Sequence, residues 1–232
     1  MTVTQLSALI LSQVDDPTGA SFTPASYPNT TPPEVLAAIN EGQQLAALLT
    51  LCLEITANFA LTANACWYLP RPVLTDLIVP LRFSLAGVRL RPSTLANLEA
   101  QNSAWQASPG TPARYAFLGV NLLAVSPQPT GSATASMTYA QSPAALVNDT
   151  DTPALPEVNH LSLVDYAVYK IRLKEGAQSL ERGLKRFHLF MDDMDRLAAY
   201  VRERAVAARY DVLPFEMTLA QRTRLVEVAS GG

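Results

Sequence analysis

The chain has 232 residues, a net charge of −3 and only 16% charged residues. Its length suits one large domain, or a domain with an insertion, and allows a real core. The weak net charge excludes a global attraction to nucleic acid or to an anionic membrane surface.

Residues 2–14 read as a short helix with Leu6, Leu9, Ile10 and Val14 on one face. This start lacks the basic stretch and the small-residue cleavage site of a targeting segment. Residues 15–29 form a loop rich in Pro, Ser, Thr and Asp. Thr31-Pro32-Pro33-Glu34 signals a helix start: a threonine cap, proline in the first turn, and an acid near the positive end of the dipole. The helix it opens runs to about Leu53. Val35, Leu36, Ile39, Leu45, Leu48, Leu49 and Cys52 make it apolar over much of its circumference, which predicts burial between neighbours. The most apolar run, 45–61, contains Glu54 and Asn58 and is too short and polar to span a membrane. Cys52 and Cys66 are too few for a disulfide scaffold and read as buried thiols.

The period then changes. Phe59, Leu61, Ala63, Ala65 and Trp67 alternate with polar or small residues, as in a strand that Leu69-Pro70-Arg71-Pro72 ends. Residues 77–90 alternate again, with Gly87 at a turn or bulge. Residues 92–104 read as helical, with Leu95 and Leu98 inward. Residues 108–112 read as a turn, 115–125 as one or two strands, 126–131 as a turn and 133–139 as a strand. Residues 142–156 form a polar, proline-containing linker.

The longest regular pattern follows, over 161–208. Leu173, Ala177, Leu180, Leu184, Phe187, Met191, Met194, Ala198, Val201 and Ala205 recur at steps of four and three, the spacing of one buried helical seam. Leu180, Leu184, Phe187, Met191 and Met194 are its expected core, and Phe190 and Leu197 widen the stripe. Gly176 and Gly183 each weaken a helix interior by about 1 kcal/mol relative to alanine. They point to a break near Gly176, giving helices over 159–174 and 177–208, or to a close approach of another backbone. Ser162 and Asp165 offer a capping-box-like start. Beyond Ala208 the period fades, and 209–232 reads as an extended arm.

These elements define an α+β chain. Segments 1–58 and 158–208 form a helical bundle, 59–157 is a β-rich insertion, and 209–232 is a C-terminal arm. Residues 161–232 hold 12 of the 17 basic residues, whereas residues 1–160 hold 5 basic and 10 acidic. Such a sparsely charged body fits either a surface that other subunits cover or an ordinary alanine-rich composition.

No catalytic, nucleotide-binding or zinc motif is present. His188 reads as a solvated helix histidine. Asp192 and Asp195 share a helix face from which Asp193 is turned by about 100°. Arg196, four residues after Asp192, suits a surface ion pair better than a metal site. The residues thus indicate no enzyme, no metal site and no cofactor.

Trp105, Gly110-Thr111-Pro112, Tyr115, Pro127-x-Pro129, Tyr139, a polar linker with Asp149 and Pro156, and Asp165-Tyr166-Ala167 occur in that order. Together they resemble the head-to-tail connector, or adaptor, proteins of tailed bacteriophages, over roughly 33–208. The resemblance implies a structural virion protein of the neck between capsid and tail, made in the host cytoplasm. It implies a cyclic ring of twelve neighbouring adaptor subunits beneath the portal protein, touching tail or nozzle proteins. Viral DNA would pass through without sequence-specific binding, and no membrane would be involved. Another virion component, such as a tail-completion or baseplate protein, is an alternative, and a soluble ligand-binding module a more distant one. Segments 56–69 and 115–139 are the expected interface strands. In the arm, Tyr210, Phe215, Leu219 and Leu225 are expected anchors for the portal or a neighbouring adaptor, with Arg222 and Arg224 at the rim.

Overall fold

The computed structural model describes residues 1–15, 33–119, 121–174 and 177–214. The chain is α+β. The helices described are α1 (Val3–Gln13), α2 (Pro33–Thr50), α3 (Leu95–Gln101), α4 (His160–Lys174) and α5 (Ala177–Ala207). It divides into two compact units. A helical unit holds Met1–Leu53, Pro143–Glu203 and Pro214, and a β module holds Glu54–Ser142 and Arg204–Leu213.

The helical unit is built around α4, which buries Leu163, Val164, Ala167, Val168 and Ile171. Burial on so many sides follows from having three helical neighbours. α2 runs antiparallel to it, since Glu34 pairs with Lys174 at 3.2 Å and Glu41 with Lys170 at 2.9 Å. At Gly42 a Cβ would lie 2.9 Å from the Tyr166 ring, so glycine is what lets α2 approach this closely. α1 runs parallel to α4: Arg172 donates to the Gln13 carbonyl at one end, and His160 is hydrogen-bonded to the Met1 amine at the other. A capping box of Thr2 and Gln5 opens α1. α5 runs antiparallel to α4, and Tyr166, Tyr169, Phe187 and Phe190 pack ring against ring across the pair.

Several expectations change here. In the seam Phe187, Met191 and Met194 are buried, but Leu180 and Leu184 are only half-buried. Phe190 is wholly buried because it points at Tyr166 of α4, with ring centroids 5.0 Å apart. Gly176 lies outside the described residues. Gly183 sits inside α5, where a Cβ would come within 3.1 Å of the Arg172 Cβ, so it marks a close approach and not a break. Ser162 caps nothing: it is buried and donates to Asp193 at 2.8 Å, while Asp165 pairs with Arg186 at 2.7 Å. Arg196 pairs with Asp193 at 3.1 Å.

Residues 143–157 fold with the helices rather than with the strands. The Asn40 side chain both donates to the Leu146 carbonyl and accepts from its amide, at 3.0 and 2.8 Å. Gln43 donates to the Ala144 carbonyl at 2.9 Å. These two amides on α2 take the place of a strand partner for the returning chain.

The β module contains β1 (Glu54–Leu61), β2 (Trp67–Tyr68), β3 (Leu77–Leu85), β4 (Val88–Arg89), β5 (Arg91–Pro92), β6 (Pro109–Gly110), β7 (Arg114–Leu118), β8 (Leu122–Ser126), β9 (Gln128–Pro129) and β10 (Ala133–Gln141). One sheet has the order β1-β10-β3-β4 and the other β2-β8-β7-β5, with β6 and β9 as a short parallel pair. Ala86 and Gly87 both have positive φ, the geometry of a tight hairpin turn from β3 to β4. Strand alternation builds two apolar layers. Phe59, Phe83, Met137, Tyr115, Leu123 and Val125 fill the core, with Phe83 and Tyr115 edge to face at 5.6 Å. On the reverse side of β7 and β8, Ala116 and Ala124 sit opposite each other and leave room for Trp105, Leu98 and Cys66. Burial pushes the Cys66 thiol above its ordinary pKa.

Candidate docking surfaces

The sheet order decides which strands can meet a neighbour by backbone pairing. β10 lies between β1 and β3 along its length, and β7 and β8 are inner strands of the second sheet. Of the expected interface segment 115–139, β10 is paired on both sides, whereas β7 and β8 are each paired on their outer side over only two residues, by β5 and β2. β1, which overlaps the segment 56–69, is different. Its eight residues pair with β10 on one side, and among the described residues its outer edge has no backbone partner. After Glu54 it carries neither charge nor proline, the two usual devices that blunt an edge. Ile55 lies on the same face as buried Phe59 and Leu61, yet is 39% exposed.

At the other side of this sheet the chain leaves α5. The Asp211 amide donates to the Leu81 carbonyl of β3 at 2.7 Å. The Asp211 carboxylate, 4% exposed, pairs with Arg89 and accepts from the Tyr115 hydroxyl. Burial first, then the hydrogen bond to Asp211 and the charge of that carboxylate, push the Tyr115 hydroxyl far above the usual tyrosine range. Val212 completes a groove of about 290 Å³ with Ile78, Val79, Pro80, Pro92 and Phe117. Pro80 suits this edge because it offers no amide to a ladder.

Tyr210 belongs to the same anchorage. Its hydroxyl donates to Glu54 at 2.7 Å, and burial together with that carboxylate raises its pKa to about 12. Residues 209–213 are thus not part of a free arm, because a buried carboxylate and a backbone hydrogen bond hold them to β3 and β4. Phe215, Leu219, Arg222, Arg224 and Leu225 lie outside the described residues. Asp211 was missed in the sequence although a signal existed: it is a lone acid within the apolar run from Tyr210 to Leu213. Its partner Arg89 is 122 positions away and had none.

In the helical unit the basic residues are mostly paired: Arg172 with Asp15, Lys174 with Glu34, Lys185 with Glu181 and Arg186 with Asp165. Arg172, Arg182, Lys185 and Arg186, with Asp15 as the one carboxylate in the lining, border a polar cavity of about 350 Å³. His188 is exposed, whereas His160 is buried with its Nε2 hydrogen-bonded to the Leu155 carbonyl. Among the described residues no group of three or more His, Cys, Asp or Glu is placed to hold a metal ion. Among them, too, no helix is long and apolar enough to cross a membrane.

A family model described as SU10 adaptor protein matches residues 1–212. No curated protein matches the chain.

Proposed function

Since the chain belongs to the SU10 adaptor protein family, a family of structural proteins of the bacteriophage virion, we propose that its subunits form the ring that joins capsid to tail. In this reading the ring is cyclic, with twelve subunits beneath the portal. It extends the channel through which viral DNA passes and meets tail or nozzle proteins below. The protein is made in the host cytoplasm and ends in the virion neck. The observation that carries the reading is the family match, which spans both the helical unit and the β module.

Two features support it. A slightly acidic chain whose cations in the helical unit are mostly paired suits a wall that lets DNA slide, because grip comes from cations that neutralise phosphates. Among the described residues the outer edge of β1 has no backbone partner, which offers a contact surface to a neighbouring subunit. Residues from Phe215 onward, with Leu219, Arg222, Arg224 and Leu225, serve as the arm that secures the subunit to the portal or to a neighbouring adaptor.

The purified chain mixed with portal rings should give one discrete assembly, whose subunit number is read by native mass and imaging. A two-fold dimer as the sole assembly would contradict the ring. Deleting residues 215–232 should leave the helical signal unchanged while attachment to DNA-filled capsids is lost. The cut belongs after Pro214 because Tyr210 and Asp211 hold the β module.

A further inference from the structure

We infer that the polar cavity of the helical unit is a binding site for an acidic peptide segment of a partner protein. A carboxylate of that segment meets Arg182, Lys185 and Arg186, and a backbone N–H beside it meets Gln13. The inference goes beyond the neck reading and does not depend on how many subunits share a ring.

The cavity, of about 350 Å³, lies where α5 comes close to α4. A Cβ on Gly183 would lie 3.1 Å from the Arg172 Cβ, so glycine lets the two helices bring their cations together. Arg182, Lys185 and Arg186 stand at i, i+3 and i+4 and share one face of α5. Arg172 forms the α4 side and is already held by the Gln13 carbonyl at 3.0 Å, so the α5 cations carry the contact. Among the described residues Arg186 is bonded through Nη1 alone, to Asp165 at 2.7 Å, which leaves the rest of its fork. Lys185 pairs with Glu181, and both are exposed, so a rival carboxylate displaces that pair at little cost. Arg182 is exposed and makes no ion pair among the described residues. Against these cations the lining holds one carboxylate, Asp15.

The acceptors in the wall decide which anion fits. Gln13 Oε1 is buried and has no hydrogen-bond partner among the described residues. A buried acceptor left unpaired is costly, so the site calls for a donor as well as an anion. A DNA phosphate brings acceptors only, and these would face Gln13 Oε1 and the Asp15 charge. A peptide brings both polarities. Its Asp or Glu carboxylate suits the arginine forks, and its main-chain N–H suits Gln13. The recess admits such a side chain, whereas a duplex carries its phosphates on a rod too broad to enter it.

The test uses the purified full-length chain. The probe is a fluorescent, end-blocked peptide of alternating Glu and Gly, followed by anisotropy. The matching Gln–Gly peptide and a duplex DNA are the comparisons. The Glu peptide should bind and the Gln peptide should not. Arg182→Glu and Lys185→Glu should each weaken binding about tenfold. Both positions are exposed, so circular dichroism should be unchanged. Arg196→Glu makes the same change in charge on the same helix but does not line the cavity, and binding should stay near that of the unmodified chain. Gln13→Met keeps the size and removes the acceptor, and should weaken the peptide about threefold to tenfold. A Glu peptide that does not bind overturns the site. An equal loss in Arg182→Glu and Arg196→Glu overturns it too, as general attraction between charges. Binding that Gln13→Met leaves unchanged, or duplex DNA that displaces the peptide, would make the cavity a general anion site and overturn the peptide assignment. Because the free chain is measured, each of these failures leaves the ring reading intact. A chain that binds the peptide yet forms no ring with the portal sinks the ring reading alone.

Discussion

The helical unit and the β module solve the same problem by opposite means. In the helical unit, α4 and α5 are adjacent in sequence and meet along a continuous apolar surface, while charges pair at its rim, as in Arg186–Asp165. In the β module the partners are remote. Glu54 of β1 faces Ala140 of β10, and a largely buried ion pair joins Arg89 to Asp211. The contrast teaches where each unit is vulnerable: one to loss of volume along a stripe, the other to loss of a single distant partner.

Because both tryptophans, Trp67 and Trp105, lie in the β module, their fluorescence follows that unit, while circular dichroism follows mainly the helices. The largest expected effect is in the helical unit. Phe190→Ala should cost about 3–5 kcal/mol, read by denaturant titration of the helical signal. Half-buried Leu184→Ala should cost only about 1–2 kcal/mol. Equal losses at both positions would mean that the a/d seam, and not the α4–α5 aromatic contact, dominates.

Next, Asp211→Ala should destabilise the β module by about 2–4 kcal/mol, seen as an earlier tryptophan transition. The figure lies below the fully buried range because the Arg89 guanidinium keeps about a third of its exposure. An unchanged transition would show that residues 209–213 can leave the module without consequence.

A smaller loss, about 1–3 kcal/mol, is expected for Ala124→Leu, which would press branched bulk into the space below Trp105. A shift in Trp105 emission with unchanged helical signal would place the damage in that layer.

The smallest effect is a pH dependence. The Tyr210 hydroxyl has its pKa raised from an ordinary 10.0 to about 12 in the folded chain, by burial and by Glu54. The protonated form is therefore the one the fold favours. Its contribution is full below pH 10 and is lost as pH rises towards about 12. Tyr210→Phe should lower stability at neutral pH slightly and reduce the steepness of the alkaline loss. If the two alkaline curves keep the same offset throughout, the Tyr210–Glu54 tie does not contribute.

The α+β class, the helix starting at Pro33, the pair of helices flanking Gly176 and the strands near 77–85 and 133–141 were legible because each is a local periodicity. A side chain every three or four residues, or every second one, states which face must leave water. Burial along α5 was legible only in part. The stripe indicated a face, but α4 decided that Phe190 is sealed while Leu184 stays half-open. Local pattern could not place residues 143–157 with α2, since hydrogen bonds from Asn40 and Gln43 do that across about a hundred positions. Nor could it separate inner from edge strands. The strand expected over 59–67 overlaps β1 only at 59–61, and only the order β1-β10-β3-β4 makes β10 an inner strand and β1 an edge that has no outer partner among the described residues. Asp211 shows the same limit, because a carboxylate in an apolar run reads as a break until Arg89 and Tyr115 close around it. A chain's own sequence determines what must be buried. Which distant groups supply the partners is decided when the backbone closes, since hydrogen bonds and ion pairs depend on position in space and not along the chain.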